Sequence, residues 1–495
     1  MTNAVLFALL AACVLPLLFA PRARRGKKSF GLLSAVFACA FAAVFAYQAC
    51  WQLGILGGEK FQSFMRQHNT REGRETFRIQ RGRILDANGE VLAERGENRL
   101  RHYPLGAAGT HVVGFYDRRL GTGGMERMMN TALRGEVSTE GESMRQTLAR
   151  KIGNDRVEGE DVRLTLVADL QRFAHAQLEN KKGAVVVMRP DGALLALATA
   201  PSYAPGDAAA ASLDIEGAPM LNRATDGLYP PGSVFKIVVA LAAAEAGMKP
   251  VLDCPAEGFM GIRDSEYYAA QRRGTVWRGW GSMNMRDGFV HSSNVYFSQL
   301  AVSLGQARLE ALADSLRLNG RWVYASAGER ERVTAAGKFP SLALRRDLAH
   351  AGIGQGAMAV TPLHVAMWTS VVANGGLLWQ PRLLATDEKW REPPAPKRIV
   401  STAAAREVAG CMREAVASGT GRHAEIPGLR VCGKTGTAQT GNDPDHAWFT
   451  CFAPRDNPQI IVTVLVERGG FGGTVAAPLA RAVLEEAARL GLVRE

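Results

Sequence analysis

The sequence predicts an α+β protein held at a membrane, in which one sheet carries helices on both sides and a smaller strand-rich segment precedes it. Three observations predict this. The first 50 residues contain two apolar runs separated by the basic stretch PRARRGKK. Apolar runs of strand length flank Asn88-Gly89 and Asp191-Gly192, dipeptides that suit tight hairpin turns. Beyond residue 183 the order is strands, helices, strands and a closing helix, which favours segregated α+β layers over alternating βαβ units.

Taken in order, residues 4–20 and 29–50 are the apolar runs, and the second is uncharged and long enough to span a bilayer. The first contains Pro16 and lacks a basic start, which makes a poor cleavable signal peptide; whether it also spans is left open. Basic clusters beside a span stay cytoplasmic, so the chain beyond about residue 51 is expected outside the cytoplasmic membrane, anchored by its N-terminus. Residues 59–83 are polar and arginine-rich, a juxtamembrane connector. RGRILDANGEVLAE reads as a hairpin, and DVRLTLVADLQRFAHAQLEN as a strand followed by a helix beginning near Asp169. A boundary near 160–167 divides the chain into an anchor (1–50), a small domain (51–165) and a large domain (166–495).

In the large domain, KGAVVVMRPDGALLALATAP forms two strands buried on both faces, because polar alternation is weak. YPPGSVFKIVVALAAAEAG places Ser233 at the start of an apolar helix that Gly247 stops. Helices are expected over 286–376. VCGKTGTAQT, HAWFTCFAP and QIIVTVLVE read as three successive strands, and APLARAVLEEAARLGL as the last helix.

The net charge is +12, but Arg22, Arg24, Arg25, Lys27 and Lys28 lie together beside the apolar runs. The remaining excess is modest, without an aromatic-interleaved basic face or a reading motif, so nucleic acid is not an expected partner. No H-E-x-x-H or C-x-x-C spacing occurs, and neither metal nor cofactor is expected. Cys254, Cys411, Cys432 and Cys451 do not form a disulfide framework; one bridge is possible, with partners the sequence leaves open.

Two overlapping motifs compete in GLRVCGKTGTAQT. Gly428 to Thr435 fits G-x-x-x-x-G-K-[ST], a phosphate-binding loop, whereas Lys434 to Thr437 is K-T-G-T. A phosphate loop needs a helix opening at its Lys-Thr. Here GTAQTGNDPDHAWF follows, a poor helix, and LRVC before it reads as strand. Upstream, Ser233 and Lys236 in SVFK stand three residues apart on one helical turn, where side chains are neighbours. A serine needs an adjacent base, and a lysine serves only if its pKa falls, which burial plus a second cation, here Lys434, achieves. HSSNVYF adds Ser292 and Asn294, a hydroxyl two residues from an amide. Each motif alone is common by chance; the three in this order point to a serine acyltransferase.

From about residue 78 onward the chain resembles the class B penicillin-binding proteins, membrane-anchored monofunctional peptidoglycan D,D-transpeptidases, of the short-pedestal type. The likeness rests on RGRILDANGEVLA, GTGGMERMMN, YPPGSVFK, SSNVYF, GIGQGAMAVTPLHVAM, ANGG and GKTGTAQT. It implies a small β-rich pedestal below a transpeptidase domain with a central antiparallel sheet. It further implies that Ser233 attacks the penultimate D-alanine of a peptidoglycan stem peptide, or a β-lactam. Lys236 would take the serine proton, Ser292 would relay one to the leaving amine, and Asn294 would hold Lys236 and the substrate amide. Lys434, Thr435 and Thr437 would receive the terminal carboxylate, and the Ser233 and Thr437 N–H groups would form the oxyanion hole. Gly436 would let the substrate backbone approach. Too few residues precede the transpeptidase domain for a glycosyltransferase, so glycan polymerisation is expected from a SEDS-family partner in the membrane. Two other readings keep this fold: a β-lactamase or β-lactam sensor, and a catalytically silent scaffold. No E-x-x-L-N follows the middle motif, as a deacylating enzyme would want, and the motif residues are intact, against a silent scaffold.

Overall fold

A computed structural model describes residues 36–47, 79–97, 100–117, 121–135, 157–328, 330–385, 395–440 and 443–494. The chain separates into two compact units, Met1–Thr76 and Phe77–Glu495. In the first, residues 36–47 form a helix within the second apolar run, with Phe37, Phe41 and Phe45 exposed one turn apart. No helix among the described residues is long and apolar enough to cross a membrane. The first apolar run, the ends of the second and most of the arginine-rich connector lie outside the described residues.

The second unit begins with short strands and helical turns. Ile84–Leu85 and Val91–Arg95 pair antiparallel around the Asn88-Gly89 turn, where Gly89 has φ +90°. The sheet runs from Arg101–His102 through these two strands to Val162–Arg163, which pairs parallel. The region is less purely β than the resemblance implies, because helices Thr110–Val113, Gly124–Met128 and Asn130–Leu133 fill the chain between strands. Its two characteristic stretches meet through one buried group. The Glu126 carboxylate accepts from Arg81 Nε at 2.7 Å and Arg101 Nε at 2.6 Å, and Arg81 also donates to Asn130.

In the large domain, β1 (Gly183–Met188) and β2 (Leu194–Ala200) form the hairpin expected around Asp191-Gly192, and every residue of both strands is buried. With β3 (Cys432–Thr440), β4 (Asp443–Ala453) and β5 (Ile460–Val466) they build an antiparallel sheet of order β2-β1-β5-β4-β3. Strand alternation divides the core in two. Val185, Val187, Phe449 and Val464 face one cluster, closed by helices α1 (Ala168–Ala176) and Ala476–Arg489. Ala184, Val186, Trp448 and Leu465 face the other, closed by α2 (Lys236–Glu245), α3 (Asn294–Leu304), α4 (Pro362–Ala373) and α5 (Thr402–Ala417). Expected helices over 286–376 are interrupted by a hairpin of Val323–Ala327 and Arg330–Val333.

No disulfide forms among the described residues: Cys254, Cys411, Cys432 and Cys451 are buried free thiols. Cys432 and Cys451, on neighbouring strands, belong to opposite faces of the sheet. Burial pushes the Cys254 thiol up to about 11 and those of Cys411 and Cys432 up to about 12.

Candidate active site

The nucleophile segment does not open directly into an α-helix. Gly232–Phe235 is a 3-10 turn, and α2 follows from Lys236. In a 3-10 turn residues i and i+3 eclipse, so Ser233 and Lys236 align more closely along the axis than an α-helical turn would place them. The turn is wedged in place by glycines. Gly232 (φ +55°) donates its N–H to Gly354 O at 3.0 Å, and a Cβ on Gly232 would lie 2.7 Å from Thr437 O. Trp448 Nε1 donates to Pro230 O at 3.1 Å from the sheet side. Ser233 is left half-buried at the cleft, where its Oγ has no hydrogen-bond partner among the described residues.

Lys236 is fully buried, its ammonium 5.7 Å from the Phe297 ring centroid. Its Nζ donates to Ser292 O at 2.6 Å, Asn294 Oδ1 at 2.8 Å and Ser292 Oγ at 3.2 Å. Lys434, also fully buried, reaches Ser292 Oγ at 2.8 Å and Thr435 O at 3.1 Å. One serine hydroxyl therefore accepts from two lysines. Ser292 has φ +55°, a left-handed conformation that non-glycine residues hold only when the surroundings impose it.

Desolvation by burial brings Lys236 down to about 7, opposed by the carboxylates of Asp264 and Glu266. Lys434 is held well below the usual lysine range, first by burial and then by the nearby Lys236. The sequence points to burial together with Lys434 as what lowers Lys236. The structure makes burial the main cause for both lysines, and the repulsion between them adds to it.

On β3, at the edge of the sheet, Thr435 Oγ1 pairs with Thr420 Oγ1 at 2.8 Å, and Thr437 is half-buried at the cleft. Gly436 is tightly confined, but by the protein itself: a Cβ there would lie 2.9 Å from Val234 Cγ1, 3.0 Å from Trp448 Cβ and 3.2 Å from Pro231 O. The close approach expected for a substrate backbone is thus made by the nucleophile turn. Lys434-Thr435 lies within a strand, which removes the phosphate-loop reading. All eight residues singled out from the sequence, Ser233, Lys236, Ser292, Asn294, Lys434, Thr435, Gly436 and Thr437, lie on segments that converge on this cleft. Asp264 was missed. It accepts from Ser293 Oγ and from the backbone N–H groups of Asn294 and Val295, yet a lone aspartate in a loop carries no motif to mark it.

Comparison with known proteins identifies the family. Residues 183–485 match the family described as penicillin binding protein transpeptidase domain, and residues 81–162 the penicillin binding protein A dimerisation domain. The chain is 32% identical over 456 residues to peptidoglycan D,D-transpeptidase PbpA of Mycolicibacterium smegmatis, covering 84% of this chain and 91% of that protein. It is 29% identical over 462 residues to peptidoglycan D,D-transpeptidase MrdA of Haemophilus influenzae, covering 78% and 69%. Among solved structures, penicillin-binding protein A of Mycobacterium tuberculosis as a ceftriaxone acyl-enzyme superposes with a TM-score of 0.71 at 28% identity, covering 83% of this chain and 99% of that one. PBP2 of Pseudomonas aeruginosa in complex with WCK 5153 gives 0.67 at 31% identity, covering 82% and 96%. With residues 183–485 and 81–162 both matched, the chain belongs to the penicillin-binding protein transpeptidase family.

Proposed function

We propose that Ser233 is the residue acylated in this serine-type peptidoglycan D,D-transpeptidase and β-lactam target. The observation that carries the assignment is the pair of fully buried lysines converging on Ser292 beside a half-buried serine. Neutral Lys236 removes the Ser233 proton as Oγ bonds to the carbonyl carbon of the penultimate D-alanine. Ser292 passes a proton to the departing nitrogen, the C–N bond breaks and the last D-alanine leaves. Asn294 holds Lys236 and the substrate amide. Lys434, Thr435 and Thr437 receive the terminal carboxylate, whose charge favours the protonated form of Lys434. The N–H groups of Ser233 and Thr437 stabilise the oxyanion, and loss of such a donor costs about 10²- to 10³-fold in rate. An amine from a second stem peptide then takes the acyl group.

In this reading residues 1–50 anchor the chain in the cytoplasmic membrane, 51–165 form the pedestal, 166–495 lie outside as the catalytic domain, and a SEDS-family glycosyltransferase supplies glycan strands. The apolar runs and the two family matches on either side of residue 165 support it.

Acylation of the full-length protein in neutral detergent by a fluorescent penicillin tests the site. A stable adduct mapped by mass spectrometry to Ser233, absent from Ser233→Ala, is expected. Labelling that survives in Ser233→Ala refutes the assignment, and loss of the adduct within minutes replaces a transpeptidase with a β-lactamase.

A further inference from the structure

Asp264 lies in the loop before helix Ser265–Arg272 and is 3% exposed. Both its oxygens accept from Ser293 Oγ at 3.1 Å, and Oδ1 also accepts from Asn294 N at 2.5 Å and Val295 N at 3.2 Å. The carboxylate thus satisfies the first free N–H groups of α3, where negative charge is favoured. Beside it, Asn294 Nδ2 donates to Arg263 O at 3.1 Å, which fixes the amide so that Oδ1 faces Lys236 Nζ. Asp264 therefore holds the two residues that follow Ser292, whose φ of +55° needs support from outside its own turn.

We infer that Asp264 is a positioning residue for the acyl transfer: its carboxylate fixes the Ser292–Ser293–Asn294 turn and is a buried counter-charge to Lys236. The inference rests on the site assignment above. The other charged or titratable groups around Lys236 are Glu266 on the helix after Asp264 and Lys434 on β3, while Asp264 also faces the Cys254 thiol. Among the described residues only Asp264 combines a counter-charge with bonds to the turn, so its two contributions separate by substitution. Asn keeps an acceptor for the two N–H groups and removes the charge, whereas Ala removes both.

The test is the penicillin acylation rate from pH 5 to 9 for full-length wild type, Asp264→Asn and Asp264→Ala, with the adduct mapped to Ser233 and thermal melting run alongside. In Asp264→Asn the acid limb moves to lower pH by roughly half a unit or more, because a carboxylate no longer favours the Lys236 ammonium. Asp264→Ala lowers the plateau by about tenfold or more through misplacement of Ser292 and Asn294, and falls further than Asp264→Asn. An unmoved limb together with equal plateaus in the two variants overturns the inference, whatever their melting temperatures. If Asp264→Ala does not fold, the limb of Asp264→Asn decides alone. A wild-type adduct that does not map to Ser233 overturns the site assignment and the inference together.

Discussion

Replacing Lys236 by methionine should change how stability responds to pH, in a direction the structure fixes. Folded Lys236 titrates at about 7, against an ordinary value of 10.5. Between those values the unfolded chain carries a proton that the folded chain does not, so raising the pH through this window stabilises the fold. Below about 7 both states are protonated and the cost of the buried ammonium is present in full; above the ordinary lysine value it vanishes. Across the two units from pH 7 to 9 the lysine contributes about 2 kcal/mol of rising stability. The buried thiols act the other way, since their raised values let the unfolded chain lose protons first. Their contribution is common to wild type and mutant and cancels in the difference. On a Lys434→Met background, which removes the coupled second lysine, urea unfolding of full-length protein in neutral detergent at pH 7, 8 and 9 therefore shows the difference between the proteins with Lys236 and with Lys236→Met rising by about 2 kcal/mol. The Ser292 carbonyl left without its donor lowers the mutant equally at each pH and does not alter the slope. Parallel curves for the two proteins would refute the claim that Lys236 folds into a desolvated seat.

Three further outcomes follow from other contacts. With the base titrating at about 7, penicillin acylation rises about tenfold from pH 6 to 8 and then levels, measured by stopped-flow fluorescence; a flat profile removes Lys236 as the base. Gly436→Ala forces Val234, Trp448 or the nucleophile turn aside, costing about 1 to 3 kcal/mol of overpacking in urea titrations and slowing acylation, whereas Gly206→Ala, with nothing within 4 Å, leaves packing unchanged. Glu126→Gln leaves Arg81 (9% exposed) and Arg101 (4% exposed) without their counter-charge, a loss of about 3 to 5 kcal/mol by analogy with other broken buried pairs. Since that network lies away from the cleft, the remaining folded protein keeps its acylation rate.

The chemistry of the cleft was legible because it is local. Ser233 and Lys236 share a turn, Ser292 and Asn294 share another, and Lys434 to Thr437 share a strand, so residue type and spacing carry the signal. The two hairpins were legible for the same reason: Asn88-Gly89 and Asp191-Gly192 specify turns within a few residues, and Gly89 and Gly192 both take φ +90°. Three short motifs in a fixed order therefore name residues that the fold brings together.

What the sequence could not set is how far each charged group is taken out of water, because that depends on which distant segments close over it. The pairing of the two lysines could be foreseen, but not the Phe297 and Phe289 rings against which both are buried. Asp264 reaches Asn294 across thirty positions, and Arg81 reaches Glu126 across forty-five; neither spacing has any periodicity to read. Gly436 could be picked out as special in a strand, but only the fold shows that Val234 and Pro231 occupy the space beside it. By itself the sequence determined the order of turns, strands and reactive side chains; the tertiary structure decided their burial and charge state, since desolvation is a property of the closed core rather than of any segment within it.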